Sequence, residues 1–360
     1  MIKKPIFERM PIAYVNSWID SYEPNVTYYL SNDLRKELYK LGERAGNHDP
    51  AGTYAHKIYN RLMIDLSYNS SRLEGNTYSL LDTECLLLHS ETAEGKLDEE
   101  KAMILNHKEA IRFLVENSGK IEITPTVIYT LHYLLSDGLV NSVEAGKVRR
   151  HGVRISGSIY TPFEDPKQLQ RMLEEITFKA SLIKDPYEQS FFLLVHISYL
   201  QAFIDVNKRT ARLAANIPLI KNNLVPLAFN DVQVEDYMSS MIAVYELQDI
   251  RPMVDLYVYS YMRTCAAYDS TIQSIGFDEV RIRYRQERRE LVRLVLLGEV
   301  AKAYLRGFVE NKAEVMIPSL DRKSFVEDVL EDLSQIDSSR IFGLGVTLDQ
   351  LNRWLELNKE

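Results

Sequence analysis

With 360 residues the chain has ample length for one large domain or two, each with its own core. Its 46% hydrophobic, 10% aromatic and 26% charged residues exclude a fibrous or largely disordered protein, and a formal net charge of −8 argues against broad nucleic-acid binding while leaving room for local basic patches. The two cysteines, Cys85 and Cys265, lie far apart in sequence. With no signal peptide and no apolar run that could span a bilayer, they point to reduced thiols in a soluble, cytoplasmic protein without a membrane partner.

Residues 1–50 read as an irregular lead with a short helix near Asn32 to Ala45, its Tyr22, Tyr28 and Tyr29 packing on the body. From Tyr54 the pattern is helical, with Ile58, Leu62 and Leu66 on one face, and it runs into SSRLEGN at residues 70–76. A helix follows from about Ser79 with Leu80, Leu81, Cys85 and Leu88 inward, then one over Lys101 to Asn117. Thr124 and Pro125 open the next. Between Val148 and Tyr160, Val153 and Ile155 alternate with polar residues, Gly157 and Ser158 supply a turn, and Pro162 ends it, so a lone β-hairpin is expected there. Helices near Pro166 to Ile183, Val234 to Leu247 and Arg251 to Tyr268 complete a mostly α body. Gly276 marks a boundary, after which Glu279 to Tyr304 reads as one long helix and Thr347 with Gln350 offers a capping box for a last one.

The chain turns on the stretch HISYLQAFIDVNKRTAR, from His196 to Arg212. Asp185 can cap the helix ahead of it, Pro186 suits the first helical position, and Glu188 stands three residues past the cap. Phe191, Phe192, Leu194, Val195 and Tyr199 make that helix apolar on most sides, hence buried. A polar loop with Asp205 and Asn207, followed by a helix starting among Lys208, Arg209 and Arg212, is costly at such a place unless it meets a ligand. Free N–H groups at that helix start favour an anion, with phosphate the natural candidate. Alternatively, Arg209 and Arg212 pair with nearby acids on a surface helix.

These residues resemble the Fic (Fic/Doc) family loop, His-x-Phe-x-Asp/Glu-Gly-Asn-Gly/Lys-Arg-x-x-Arg. Phe203, Asp205, Asn207, Lys208, Arg209 and Arg212 match in register, while Gln201 stands at the family's histidine and Val206 at its usual glycine. The resemblance implies ATP as ligand or substrate and Mg²⁺ on Asp205. Phosphate contacts would come from Asn207, Arg209 and the loop backbone of Phe203, Val206 and Lys208, with the terminal phosphate on Arg212. The family histidine takes a proton from a target hydroxyl as it attacks the α-phosphate. A glutamine amide cannot do this, and loss of a general base costs about 10²- to 10⁴-fold. His196, five residues upstream and turned by about 140° from Gln201 on a helix, reads as a structural residue. A valine at position 206 resists the positive φ that glycine permits, so the phosphate cradle is expected to be reshaped. Lys208 resembles the Doc branch, which transfers the γ-phosphate.

SSRLEGN resembles the family's inhibitory sequence Ser/Thr-x-x-x-Glu-Gly/Asn through Ser70, Glu74 and Gly75. That resemblance implies a Glu74–Arg212 ion pair in the seat of the terminal phosphate; the alternative is an ordinary helix end stopped by Gly75 with Glu74 in solvent. Residues 148–162 resemble the family's target-docking flap, with Val153, Ile155, Gly157 and Tyr160 as its docking residues, though a lid over the pocket fits equally. The arginine-rich run at residues 281–293 reads as a solvated or interdomain helix face.

The expectation is an all-α, Fic-type helical domain over 51–270 with one β-hairpin flap, an N-terminal lead over 1–50 and a C-terminal helical extension over 276–360. Its expected activity is AMP transfer from ATP to a protein hydroxyl, autoinhibited by Glu74, or a weakened descendant of that activity. Two other readings stand beside it: a non-catalytic nucleotide-binding regulator or scaffold, and a Doc-like phosphotransferase. A nucleotide and a protein target at the flap are the expected partners, with a homo-oligomer left open.

Overall fold

The computed structural model describes residues 5–43, 50–275, 284–318, 321–338, 340–341 and 344–358. The chain divides into two compact units, residues 1–271 and 272–360. Among the described residues no helix is long and apolar enough to cross a membrane.

The first unit is helical. In chain order it holds β1 (Ile12–Ala13), α1 (Asn16–Asp20), α2 (Asn32–Gly42), α3 (Thr53–Lys57), α4 (Tyr59–Arg72), α5 (Leu80–His89), α6 (Asp98–Glu116) and α7 (Pro125–Ser136). These are followed by β2 (Tyr160–Thr161), α8 (Pro166–Leu182), α9 (Pro186–Leu200), α10 (Asn207–Ala214), α11 (Asn216–Lys221), α12 (Val234–Leu247) and α13 (Arg251–Ile275). Helix α9 is the centre: α8, α10 and α11 pack around it, while α4 packs on α6 and α10 on α7. Phe191, Phe192, Leu194 and Val195 are 0% exposed, and each such side chain contributes about 1.5–3 kcal/mol by leaving water.

The start of α9 shows how the N-terminal lead is tied down. Asp185 accepts from the N–H groups of Tyr187 and Glu188, both at 3.0 Å, as a capping residue should. Glu188 does not close a capping box. Its buried carboxylate turns outward from the helix and accepts from Tyr22 Oη at 2.9 Å, Tyr29 N at 2.7 Å and Leu30 N at 2.9 Å. Glu188→Ala leaves three donors without an acceptor, at about 1–3 kcal/mol for each one buried. Chemical denaturation is expected to show a loss of at least about 3 kcal/mol; an unchanged midpoint would contradict this anchoring role.

The β element departs from a hairpin. Its two short strands pair in parallel, Ile12 with Tyr160 and Ala13 with Thr161, and Tyr14 N extends the contact to Thr161 O at 3.2 Å. Val153 and Ile155, whose alternation suggests a strand, are half-buried but outside it; the strand lies further along at Tyr160–Thr161, and its partner comes from the N-terminal lead. Helix α5 also differs in its face. Thr83, Leu86 and Leu87 are buried, whereas Leu81 is 68% exposed and Leu80 and Leu88 are also exposed. Five leucines in ten residues give no single apolar stripe, so periodicity could not choose the face.

The second unit contains α14 (Arg285–Leu297), α15 (Lys302–Met316), α16 (Arg322–Ser334) and α17 (Leu348–Leu357) around Leu291, Val295, Val309, Phe325, Val329 and Trp354. The single helix expected up to Tyr304 is broken after Leu297. Glu299 takes φ +46° while Val300 N bonds Val295 O at 3.2 Å, a Schellman-type closure beside Gly298. Residues 279–283 and Gly276 lie outside the described residues. Thr347 and Gln350 form the expected capping box of α17.

Candidate active site

The loop between α9 and α10 is shaped by left-handed residues at both ends, Gln201 at φ +52° and Val206 at φ +64°. Asn207 fixes the turn between them. Its Oδ1 accepts from Phe203 N at 2.9 Å and its Nδ2 donates to Phe203 O at 2.8 Å. The Phe203 ring lies inward, stacked on His132 at 3.9 Å between centroids. His132 in turn receives Gly146 N on Nδ1 at 2.9 Å, so its Nε2 carries the proton and donates to Asp205 O at 3.2 Å. From the flap side, buried Arg149 donates Nε to Gln201 O at 2.8 Å and its Nη groups to His151 O and Phe163 O; its backbone N–H reaches Ala202 O at 3.0 Å. The loop is thus braced from α7 and from the flap.

Three cations crowd the first turns of α10. Arg212 is fully buried, and Glu74 Oε1 lies 2.8 Å from its Nη2. Glu74 Oε2 lies 3.0 Å from Lys208 Nζ. Burial alone would raise the Glu74 pKa, but Arg212, Lys208 and Arg209 together bring it below the usual carboxylate value. The turn that delivers Glu74 depends on Gly75, whose φ of +91° suits glycine alone. Arg209 is 5% exposed; its Nη2 stands 3.6 Å from Asp205 Oδ2, and its buried Nε and Nη1 have no hydrogen-bond partner among the described residues. Buried, unsatisfied guanidinium donors are costly, and an anion at this place would satisfy them.

The expected site residues fall into distinct groups. Asp205, Lys208, Arg209, Arg212 and Glu74 are brought together, with the Asp205 side chain 69% exposed at the loop. One exposed carboxylate suits Mg²⁺ arriving with substrate phosphates, an ion that often keeps waters and takes only one or two protein carboxylates. No group of three or more potential metal ligands occurs among the described residues. Phe203 and Asn207 do not meet a ligand through their side chains: the ring is 0% exposed and the amide is engaged at both ends in the loop clamp. Val206 adopts the glycine conformation despite its branched side chain, so the cradle keeps its backbone shape at a strain of order 1–3 kcal/mol.

Gln201 is nearly buried. Its Nε2 donates to Ser198 O at 2.7 Å and to Tyr245 Oη at 3.1 Å. His196 points away from the loop, with Nε2 2.7 Å from Tyr29 Oη and its ring against Trp18 and Phe192. Among the flap residues Val153 and Ile155 are half-buried and Gly157 is exposed, but Tyr160 is not a docking residue. Its ring is 3% exposed, stacked on Tyr199 and Tyr245, and its hydroxyl donates to Tyr199 O at 2.7 Å. Glu246 holds the flap turn from beneath, accepting on Oε1 from Ser158 Oγ at 2.8 Å and Ile159 N at 3.1 Å. Sequence reasoning missed His107, His132, Tyr237 and Tyr245, and it placed Arg149 only in the flap match, without its hold on the loop. A polar residue within an otherwise apolar helical face was the available signal for His107 and His132; the others become visible only through tertiary contacts.

A family model described as the Fic/DOC family matches residues 122–219. The chain is 26% identical over 230 residues to protein adenylyltransferase fic-1 of Caenorhabditis elegans, covering 62% of this chain and 43% of that protein. It is 30% identical over 190 residues to protein adenylyltransferase Fic of Drosophila erecta, covering 52% and 38% respectively. This chain spans less than half the length of these curated relatives. The solved structure of Fic-1 residues 134–508 from C. elegans superposes with a TM-score of 0.50 at 25% identity, covering 66% of this chain and 68% of that one. A Fic family protein from Desulfovibrio desulfuricans shares the fold with a TM-score of 0.53 at 16% identity, over 76% of this chain and 82% of its own. The chain carries a Fic/DOC family domain at residues 122–219.

Proposed function

We propose that the loop from Gln201 to Arg212 binds ATP with Mg²⁺, and that this chain is a protein adenylyltransferase, or a weakened descendant of one, held at rest by Glu74. The observation that carries the reading is the Glu74 carboxylate itself, 2.8 Å from Arg212 Nη2 and 3.0 Å from Lys208 Nζ. A carboxylate between two cations beside the unsatisfied guanidinium of Arg209 occupies the place an anionic substrate group would take. In the reaction a target hydroxyl oxygen bonds to the α-phosphorus, the bond to the bridging oxygen of pyrophosphate breaks, and the hydroxyl proton must leave. Arg209 and Arg212 supply the fixed positive charge for the phosphate chain, Asp205 supplies the oxygen ligand for Mg²⁺, and the flap segment around Val153 to Gly157, half-buried at Val153 and Ile155 and exposed at Gly157, is the docking edge for the target.

A second reading is favoured by Gln201. Its amide is tied to Ser198 O and Tyr245 Oη and has no basic atom for the departing proton. This supports a nucleotide-binding regulator that has lost transfer chemistry. Lys208 leaves γ-phosphate transfer as a third outcome.

Calorimetry with MgATP tests the shared premise. Glu74→Gly is expected to tighten binding by about tenfold or more, the scale of one charged hydrogen bond released for the substrate. Equal affinity in both proteins would remove the inhibitory role of Glu74, and no binding by either would remove the nucleotide site.

A further inference from the structure

Ser70 belongs to the stretch that resembles an inhibitory motif, yet its contacts differ in kind from those of Glu74. Ser70 Oγ accepts from Arg212 Nε at 2.9 Å, and Ser70 O accepts from Arg212 Nη2 at 3.0 Å. Tyr237 Oη accepts from Arg212 Nη1 at 2.9 Å. Together they hold three of the five N–H donors of the guanidinium. One donor remains on each terminal nitrogen, a pair suited to two oxygens of a phosphate, and Glu74 Oε1 stands on the Nη2 side of that pair.

Behind Ser70 lies a buried imidazole. His107 Nδ1 is 2.8 Å from Met103 O, which can only accept, so the proton sits on Nδ1 and Nε2 is bare. Nε2 is 2.9 Å from Ser70 Oγ and takes its hydroxyl proton. The hydroxyl hydrogen is thereby directed to α6, and the oxygen lone pairs face Arg212. The direction runs one way: Arg212 Nε–H to Ser70 Oγ, Ser70 O–H to His107 Nε2, His107 Nδ1–H to Met103 O.

We propose that Ser70 and His107 are positioning residues that set the guanidinium plane of Arg212 for the terminal phosphate, so that Ser70 favours nucleotide binding where Glu74 opposes it. This inference rests on the nucleotide reading of the site. It separates two functions within the one stretch from Ser70 to Gly75: removing Glu74 clears the Nη2 side of Arg212, while removing Ser70 leaves its free donors badly aimed.

The test uses the full chain in a Glu74→Gly background, with MgATP binding read by calorimetry and folding checked by thermal unfolding. Adding Ser70→Ala is expected to weaken binding by about tenfold, the scale of one lost hydrogen bond to a charged group. Adding His107→Ala is expected to weaken it at least about threefold, and His107→Gln, whose amide oxygen can take the place of Nε2, to restore most of that loss. A merely structural role would lower the unfolding temperature while leaving the affinity of the folded fraction unchanged, and that result overturns the proposal. Tighter binding by the Ser70→Ala double variant overturns it as well, because it makes Ser70 inhibitory. If Glu74→Gly alone binds no nucleotide, the underlying site reading falls, and this one with it.

Discussion

Restoring histidine at position 201 in a Glu74→Gly background is expected to raise AMP transfer by about 10²- to 10⁴-fold over Glu74→Gly alone, the usual contribution of a positioned general base. The local geometry is ready for it. Gln201 already sits at φ +52°, a conformation histidine enters more readily than most side chains. The carbonyl of residue 201 is held by Arg149 and that of residue 202 by the Arg149 backbone, so exchange of the side chain leaves the loop anchored. Tyr245 Oη, now 3.1 Å from the amide nitrogen, is placed to orient an imidazole. ATP labelled at the α-phosphate, followed into protein, measures the effect. A rate unchanged by Gln201→His sinks the dormant-transferase reading and leaves the nucleotide-binding regulator. Label arriving only from the γ-phosphate instead favours phosphotransfer, consistent with Lys208.

What was legible in advance was what lies close together in sequence. Asp205, Lys208, Arg209 and Arg212 fall within two turns of one loop and helix, so their spacing alone places them near one another. Glu74 was legible through its own short motif, and it meets Arg212 as expected; its second contact, with Lys208, was not foreseen. Contacts across helices were not legible. His107 on α6 reaches Ser70 on α4, and Tyr245 on α12 reaches Gln201, through packing that no local pattern encodes. Propensity also misled in one informative place. Val206 should avoid positive φ, yet it is held there by the α10 start, by Thr210 Oγ1 donating to its carbonyl at 2.9 Å, and by burial of its side chain. Tertiary packing overrides a local preference worth only a few kcal/mol. The parallel pairing of β1 with β2 escaped detection for the same reason, since its two strands are separated by most of the helical body.

Acid should destabilise this fold well above the range where carboxylates titrate. Burial pushes the pKa of His107 down to about 3, that of His132 to about 4 and that of His196 to about 3. In the unfolded chain each titrates near about 6.5. Between those values the unfolded state binds protons that the folded state refuses, so stability rises with pH and falls as pH drops below about 6.5. Going from pH 7 to pH 5, each imidazole costs about 2 kcal/mol, roughly 6 kcal/mol for the three, against a typical total of about 5–15 kcal/mol. Burial raises the carboxyl pKa of Glu188 and Asp65, which then take up protons in the folded state and soften the fall. Glu74, whose folded pKa is lowered, loses its contribution only below the ordinary carboxylate value. Urea denaturation at a series of pH values from 7.5 to 5 reads the net slope. His196→Gln is the decisive variant, because His196 lies in the aromatic cluster of Trp18, Tyr29 and Phe192, away from the loop. It should shed about a third of the imidazole contribution to that slope without altering nucleotide binding. Denaturation midpoints that stay level from pH 7 to pH 5 in the parent protein would mean that these imidazoles accept protons in place, and the hydrogen-bond directions assigned at His107 and His132 would fall with them.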